Sequence, residues 1–275
     1  MNQSEIKELK SIANKIRVDI IEEVHSAKSG HPGGSLSIAD IITYLYFKEM
    51  NIDPNNPNMA DRDRLVLSKG HTCPALYAAL AEKGYFDVSL LKTFRKMGSI
   101  LQGHPDMKNI PGVDMSSGSL GQGISAACGM ALAAKFDKKN YRVFAILGDG
   151  EIEEGQVWEA FMFASHYKLD NLCAIIDRNG LQIDGACKDV MSTEPLEDKM
   201  KAFGFNVIVN DAHDFESIEN AFNSTKISNG KPSVIIANSV KGKGVSFMEN
   251  MVSWHGTAPN DEQYDQAIKD LSEEA

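Results

Sequence analysis

The segment Gly148-Asp149-Gly150 combines residue types that suit a divalent cation and a phosphate group. Glycines let the backbone turn sharply and approach an anion closely, while Asp149 and Asn179 offer the hard oxygen ligands that Mg²⁺ prefers. Both residues follow apolar runs, which would place them at the ends of two strands. A Gly-Asp-Gly turn by itself is equally consistent with a turn that binds nothing. The companion Asn179 favours a seat for a magnesium-bound diphosphate.

Five short apolar runs predict the strands that position these residues. They lie at 65–67, 143–147, 172–176, 207–209 and 234–237, with helical patterns at 121–136 and 156–167 among the segments between them. The alternation predicts an α/β fold with a mainly parallel sheet and helices on both faces. Ligands bind such sheets at the carboxyl ends of the strands. The helix that opens after Gly150 would direct unpaired backbone N–H groups at an anion.

The chain is predicted to form one domain over residues 1–275. Its hydrophobic content of 43% and charged content of 24% are ordinary for a globular protein, and no linker or repeat interrupts the pattern. Apolar residues recur at three- and four-residue steps between Ile6 and Val24, which predicts an amphipathic N-terminal helix. A polar helix is expected at the C-terminal end, over 261–271.

Charge and cysteine content narrow the class of protein. The net charge of −10, without a basic stripe, argues against a nucleic-acid interface. The longest apolar stretch, at 38–47, is too short to cross a bilayer and contains Asp40. The four cysteines lie far apart without a CxxC pair, which favours reduced thiols and a cytoplasmic protein. From the charge and the short apolar stretch, we expect binding to neither nucleic acid nor membranes.

Several segments together resemble the magnesium–diphosphate motif of thiamine diphosphate enzymes. These are Gly148-Asp149-Gly150, the acidic segment 153–155, the Trp-Glu-Ala segment 158–160 and the Asn179 loop. Within that superfamily the chain is most similar to transketolase. Supporting segments occur at 29–34 (SGHPGG), 68–71 (SKGH), 103–106 (GHPD), 117–123 (SGSLGQG) and 254–256 (WHG). The resemblance covers nearly the whole chain and implies the thiamine diphosphate-binding fold of a diphosphate-binding domain.

The resemblance implies roles for the residues around the cofactor. Asp149, the Asn179 side-chain oxygen and the Leu181 carbonyl would bind Mg²⁺, with Ca²⁺ or Mn²⁺ as substitutes. Gly150 would contact the diphosphate through its backbone. The remaining cofactor-binding positions of the family are matched by His71, Gly118, Leu120 and His255, of which Gly118 and Leu120 would lie against the aminopyrimidine ring.

Three histidines match family positions around the reactive carbon and the donor sugar, namely His31, His104 and His255. Imidazole donates or accepts a proton near neutral pH, as ketol transfer requires. Protonated histidines would also offset the negative charge of the diphosphate. Apart from these and His71, the remaining histidines, His25, His166 and His213, are interpreted as structural residues, because they lie in helical patterns or a polar turn.

Two further positions carry specific expectations. Glu154 matches a family position at the subunit interface, where it communicates with the glutamate that activates the cofactor, whereas Glu153 is interpreted as a residue that complements a helix dipole. The Lys241-Gly242-Lys243-Gly244 loop resembles the family loop that leads to the last active-site histidine. Spacing alone does not decide whether Lys241 or Lys243 lies near the diphosphate.

The activating glutamate belongs to a pyrimidine-binding domain that follows the matched region in transketolases. The resemblance therefore implies the N-terminal subunit of a split transketolase, with a partner chain that supplies the pyrimidine-binding and C-terminal domains, and two copies of each chain. The expected reaction moves a two-carbon ketol unit from a ketose phosphate to an aldose phosphate through a cofactor adduct, as in pentose phosphate metabolism, with an unusual or sulfonated sugar left open as substrate. The alternatives are a 1-deoxyxylulose-5-phosphate synthase-like enzyme and a non-catalytic cofactor-binding scaffold.

Overall fold

The computed structural model describes residues 1–227 and 230–273. Its α-helices are α1 (Gln3–Ala27), α2 (Pro32–Leu36), α3 (Ala39–Tyr44), α4 (Cys73–Lys83), α5 (Gln122–Phe136), α6 (Gly155–His166), α7 (Cys187–Val190), α8 (Leu196–Ala202), α9 (Phe215–Thr225) and α10 (Asp261–Glu273). Its strands are β1 (Arg64–Leu67), β2 (Val143–Gly148), β3 (Leu172–Arg178), β4 (Leu181–Gln182), β5 (Gly185–Ala186), β6 (Asn206–Asp211) and β7 (Ser233–Asn238). A π-helical turn, Leu45–Glu49, continues α3, and short 3₁₀ turns lie at Gly70–Thr72, Val88–Thr93, Glu151–Glu153 and Val252–Trp254.

The main sheet contains five parallel strands in the order β1-β2-β3-β7-β6. These are the five strands that the apolar runs predict. Strands β4 and β5 form a separate antiparallel hairpin directly after β3. Gly148 at the end of β2 pairs with Asp177 near the end of β3, so the two predicted ligand loops leave the sheet side by side.

Helices cover both faces of the sheet, as the alternating pattern predicts. Successive side chains of a strand point to opposite faces, and both faces are apolar here because both are buried. In β2, Phe144 and Ile146 enter a core with α1, α3, α4 and α9, whereas Val143, Ala145 and Leu147 enter a second core with α5, α6 and α8.

The two terminal helices lie on the same face of the sheet. Helix α1 begins with a capping box, in which the Asn2 side chain accepts from the Glu5 amide and the Glu5 carboxylate accepts from the Asn2 amide. The apolar stripe predicted for α1 packs against α3, α4 and α10, and Ala267 and Leu271 of α10 join the same core. None of the helices in the described part of the chain is both long and apolar enough to cross a bilayer.

The strand order reverses between β3 and β7. After β3 the chain passes over the position of β7 to form β6, and it returns through α9 on the opposite face. A crevice opens at the carboxyl edge of a parallel sheet where the chain reverses in this way. The loops after β2, β3 and β7 meet at that crevice.

Candidate active site

A cleft of about 530 Å³ lies at the carboxyl edge of the sheet. Every site residue predicted from the sequence lines it: His31, His71, His104, Gly118, Leu120, Asp149, Gly150, Glu154, Asn179, Leu181 and His255. Segments that lie far apart in the chain are therefore joined into one site. The loops that follow β1, β2, β3 and β7 contribute most of its floor.

Hydrogen bonds to backbone amides join the Asp149 side chain to the loop that carries Asn179. One Asp149 oxygen accepts from the Gly150 amide at 3.0 Å and the other from the Gly180 amide at 2.6 Å. The Asn179 amide group donates to Asp177 at 2.8 Å, and its oxygen accepts from the Leu181 amide at 3.1 Å. Burial and the neighbouring Asp177 charge raise the pKa of Asp149 to about 6. This environment favours a cation beside the carboxylate.

The predicted metal ligands fit a hard cation by their chemistry. They comprise a carboxylate, a side-chain amide oxygen and the Leu181 carbonyl, which are the oxygen types that Mg²⁺ takes from proteins. The Lys241 ammonium lies 2.9 Å from the Leu181 carbonyl oxygen, so positive charge already contacts one of the three ligands. The described residues contain no cluster of three His, Cys, Asp or Glu side chains suited to a metal. A metal here would depend on amide and carbonyl oxygens beside the single carboxylate.

The helix predicted at 156–167 is α6, which begins at Gly155 after a short 3₁₀ turn over Glu151–Glu153 that opens at Gly150. The Gly150 amide is not left unpaired, however, because it donates to Asp149 at 3.0 Å. Glu151 is 3% exposed, and its side chain folds back to accept from the Gly148 amide at 3.0 Å. Its other oxygen accepts from Ser68 and from the Gly121 amide, so Glu151 ties three cleft loops together. No role for this residue is predicted from the sequence.

Two buried lysines supply the fixed positive charge of the cleft. Lys69, for which the sequence predicts no role of its own, donates to Asp177 at 2.6 Å and to the Gly34 carbonyl at 3.0 Å. Lys241 donates to the Leu181 carbonyl and lies 3.1 Å from Nδ1 of His255. Each lysine is only 2% exposed. Burial and the charge of Lys69 lower the pKa of Lys241 to about 8.

Of the two lysines in this loop, Lys241 lines the cleft. Lys243 does not line the cleft; its ammonium pairs with Glu249 at 3.2 Å on a half-exposed loop. Gly242 between them has a φ of +80°, and a Cβ there would approach the Met248 carbonyl oxygen to 2.4 Å. This turn directs the two lysines to different environments.

Three histidine rings form a compact cluster. The ring centroids of His31 and His71 are 5.1 Å apart, those of His31 and His255 are 5.5 Å apart, and those of His71 and His255 are 5.3 Å apart. Burial, strengthened by nearby positive charges, lowers the pKa of His31 and of His255 to about 4. Burial and the charge of Lys69 hold the pKa of His71 well below its usual value. Burial thus disfavours the protonated form of these rings, and the two buried lysines supply positive charge in the cleft.

Arg95 is a second basic residue that sequence reasoning missed. Its charge lowers the pKa of His31 and of His104, after burial as the larger cause. The guanidinium donates to Ser29 at 2.8 Å, while its Nε atom is buried without a hydrogen-bond partner. Arg95 follows the 3₁₀ turn at Val88–Thr93, a segment without a recognisable motif.

Glu154 and Leu120 lie at the exposed mouth of the cleft. Leu120 is 37% exposed, and its carbonyl accepts from Gln156 at 3.1 Å. Deeper in the same wall, Gly118 packs so closely on His104 that a Cβ would lie 2.9 Å from the ring. Glu153 also lines the cleft and has a buried, unpartnered oxygen, so it is more than a solvated helix-end charge.

The three histidines interpreted as structural lie outside the cleft. His25 stacks on Tyr264 and contacts Asp261, whereas His213 bonds to Asp40 in the turn after β6. His166 is exposed at the end of α6.

A family model described as the thiamine diphosphate-binding domain of transketolase matches residues 8–274. The chain belongs to the transketolase family. Two similar curated relatives are themselves transketolase subunits. The 6-deoxy-6-sulfo-D-fructose transketolase subunit SqwG of Clostridium sp. (strain MSTE9) is 48% identical over 100% of this chain and 99% of its own length. An apulose-4-phosphate transketolase subunit of Phocaeicola vulgatus is 45% identical over 98% of this chain and 95% of its own length.

The chain spans less than half the length of the longer transketolases that it matches. It covers 43% of human transketolase, to which it is 41% identical. The solved transketolase from Campylobacter jejuni superposes with a TM-score of 0.92 at 35% identity, covering 99% of this chain and 43% of that one. The transketolase from Leishmania mexicana gives a TM-score of 0.91 at 34% identity, covering 96% of this chain and 41% of that one.

The matches confirm the predicted family, the fold and the assignment as a ketol-transferring enzyme of the transketolase N-terminal type. They favour transketolase over the 1-deoxyxylulose-5-phosphate synthase alternative. The relatives of matching length are named as subunits, which implies a partner chain.

Proposed function

We propose that this chain binds the diphosphate end of thiamine diphosphate with Mg²⁺ and serves as the N-terminal subunit of a two-chain transketolase. The observation that carries the proposal is the composition of the carboxyl-edge cleft. It joins the oxygen ligands Asp149, Asn179 and Leu181 to two buried lysines and to three histidine rings between 5.1 and 5.5 Å apart.

In this proposal Asp149, Asn179 and the Leu181 carbonyl hold Mg²⁺, and the Gly150 backbone contacts the diphosphate. Buried Lys69 and Lys241 offset the charge of the diphosphate in a chain whose net charge is −10. His71 and His255 contact the cofactor from the histidine cluster, and Gly118 and Leu120 face its aminopyrimidine ring. When bound, thiamine diphosphate supplies the nucleophilic carbon that the side chains of the protein lack.

The histidines move protons at the sugar oxygens. A ketol transfer requires a hydroxyl or carbonyl oxygen of the sugar to lose and regain a proton. Because the pKa values of His31 and His255 are about 4, both rings are neutral at pH 7 and present a nitrogen that accepts a proton. Nδ1 of His31 is buried without a hydrogen-bond partner among the described residues. After burial as the larger cause, the Arg95 charge lowers the pKa of both His31 and His104.

A partner chain completes the site at its mouth. Glu154 is exposed there, where the activating glutamate of a pyrimidine-binding domain would approach it. We place two copies of each chain in the complex and treat residues 1–275 as one domain. The four cysteines are buried and unpaired, which supports a reducing, cytoplasmic location.

The substrate class is a ketose that carries a terminal anion, with an aldose phosphate as acceptor. Relatives at 48% and 45% identity are named for a sulfonated fructose and for apulose 4-phosphate, so the anion is a phosphate or a sulfonate. Ordinary pentose phosphates belong to the same class. The groups on this chain that meet the sugar are the histidines at its reactive end, and they do not distinguish these donors.

Reconstitution tests the proposal. The full chain is assayed with Mg²⁺ and thiamine diphosphate, alone and with the C-terminal transketolase subunit of the same organism, against xylulose 5-phosphate, fructose 6-phosphate, 6-deoxy-6-sulfofructose and apulose 4-phosphate. We expect no transfer by the single chain and transfer from at least one donor by the mixture. Full turnover by the single chain, or pyruvate decarboxylation without ketol transfer by the mixture, would overturn the proposal.

A further inference from the structure

The Val240–Lys243 segment fixes where the Lys241 ammonium lies, but it stands outside the sheet. Strand β7 ends at Asn238, and the Ser239 amide makes the last backbone bond to β3, to the Arg178 carbonyl at 3.2 Å, so strand pairing does not hold Val240–Lys243. The Gly242 amide donates to the Gly33 carbonyl at 2.9 Å, which attaches the middle of the segment to α2. Its two ends are held by side chains.

His213 holds the first end. Its Nε2 atom accepts from the Val240 amide at 2.9 Å, and its Nδ1 atom lies 2.7 Å from Asp40. A ring nitrogen that accepts from an N–H carries no proton, so the proton is on Nδ1 and is donated to Asp40. The contact with Val240 therefore requires one tautomer, and Asp40 selects it.

Arg17 holds the other end. Its Nε atom donates to the Lys243 carbonyl at 3.3 Å, and its Nη2 atom donates to the same Asp40 oxygen that His213 contacts. Asp40 is 5% exposed. Burial would raise the pKa of Asp40, but the Arg17 charge and the hydrogen bonds from His213 and Arg17 hold it below its usual value. The carboxylate is thus charged and can serve both partners.

We propose that Arg17, Asp40 and His213 form a buried clamp that positions Lys241 in the cofactor cleft. The clamp grips the segment at the Val240 amide and the Lys243 carbonyl, one residue before Lys241 and two after it. It contains none of the cleft-lining residues and acts through the backbone, so its members are positioning residues. The functional consequence of the clamp rests on the proposed diphosphate site, because it is Lys241 that contacts Leu181 and His255.

Two variants of the full chain separate the contacts of His213. The Asn side chain in His213→Asn can still donate to Asp40 but has no atom at the position of Nε2. The longer Gln side chain in His213→Gln can place an acceptor oxygen there and lacks the ring Nδ1–H. His25→Asn is the matched control, because it removes another histidine–aspartate contact, at 2.8 Å, far from Lys241.

The first readout is the affinity for magnesium pyrophosphate, measured by calorimetry. We expect His213→Asn to bind about tenfold more weakly, His213→Gln to stay within about threefold of the wild type, and His25→Asn to be unchanged. Equal affinities of His213→Asn and wild type would overturn the clamp. So would an equally large loss in a folded His213→Gln protein, which also keeps the test decisive if His213→Asn does not fold.

The second readout is the ¹⁵N resonance of His255 Nδ1, which reports the Lys241 contact without any ligand. It should move in His213→Asn and stay in place in His25→Asn. If the wild-type chain does not bind pyrophosphate, the proposed function is wrong. The His255 resonance still tests the clamp in that case. An unmoved His255 resonance in folded His213→Asn would refute the clamp alone.

Discussion

The two edges of the main sheet both carry charged side chains but use them differently. At the amino edge, Lys139 pairs with Asp61 at 2.8 Å, and both side chains are largely exposed. At the carboxyl edge, Lys69 pairs with Asp177 at 2.6 Å, with side-chain exposures of 3% and 2%. Water can solvate the first pair, whereas the second depends on the protein around it. Burying a charged pair costs desolvation free energy. We therefore expect a charged ligand at the edge that buries such a pair.

Buried polar atoms without a hydrogen-bond partner occur at both edges, and those of the amino edge include Arg62 Nε and Asn171 Oδ1. The carboxyl-edge cleft contains buried atoms without a hydrogen-bond partner on Gln182, Glu153 and His31. Near the amino edge, Asp63 instead accepts from the backbone amides of Asn51 at 2.8 Å and Arg142 at 2.7 Å. Asp63 thus uses its charge within the fold, whereas the three unpartnered atoms of the carboxyl edge belong to residues that line the cleft.

The largest effect is expected from breaking the buried pair. Lys69→Met leaves the Asp177 carboxylate uncompensated next to Asp149, and removal of one partner from a buried pair costs about 3–5 kcal/mol of unfolding free energy. Lys139→Met at the amino edge should cost about 0–1 kcal/mol. Urea denaturation of both variants measures the difference. Similar losses of unfolding free energy in Lys69→Met and Lys139→Met would mean that the buried and the exposed ion pair do not differ in their contribution to stability.

The second effect concerns the metal ligand. Asp149→Ala should weaken magnesium-dependent pyrophosphate binding by about 100-fold or more, because no other carboxylate at the predicted metal position replaces it. Asp61→Ala at the amino edge serves as the control and should stay within about twofold of the wild type. Calorimetric titration at fixed Mg²⁺ compares them, and an Asp149→Ala protein of unchanged affinity would remove the metal assignment.

A third, smaller effect separates two lysines within one loop. Lys241→Met should weaken pyrophosphate binding about tenfold, since it removes a buried cation from the cleft. Lys243→Met should change it by less than about twofold, because the Lys243 ammonium pairs with Glu249 outside the cleft. The same titration applies. A greater loss in Lys243→Met would reverse the assignment of the two residues.

The smallest effect is expected from the different protonation of His31 and His255 in the folded and unfolded chain. Because burial lowers the pKa of His31 and His255 from 6.5 to about 4, the unfolded chain binds more protons than the folded chain between those values. Their contribution to stability is thus complete above pH 6.5 and is lost as the pH falls toward 4. Titration of the imidazole resonances by NMR should show both rings neutral at pH 5.5. Titration of either ring near 6.5 would contradict the burial of the cluster.

Sequence reasoning located the strands and the ligand loops because their signals are local. Strands such as β2 and β3 are apolar on both faces, so each appears as a continuous run, and Asp149 and Asn179 follow these runs directly. The histidines were found through the resemblance to transketolase, since their loops are separated by long stretches of chain.

The missed residues depend on contacts between distant segments. Lys69 and Asp177 are 108 positions apart, and neither has a neighbour that predicts the other. Glu151 adjoins the Gly-Asp-Gly motif, yet its bonds to Ser68 and Gly121 join segments that are distant in the sequence and exist only in the folded chain. His213 was correctly placed outside the cleft, but its contact with the Lys241 loop follows from the pairing of β6 with β7.

In the proposed function, this chain binds the diphosphate end of thiamine diphosphate and leaves the ring end to a partner. The most direct test titrates the full chain, in Mg²⁺, with pyrophosphate and separately with thiamine that carries no phosphate. We expect magnesium-dependent binding of pyrophosphate and no measurable binding of thiamine. Binding of thiamine as tight as that of pyrophosphate, or pyrophosphate binding that does not depend on Mg²⁺, would contradict it.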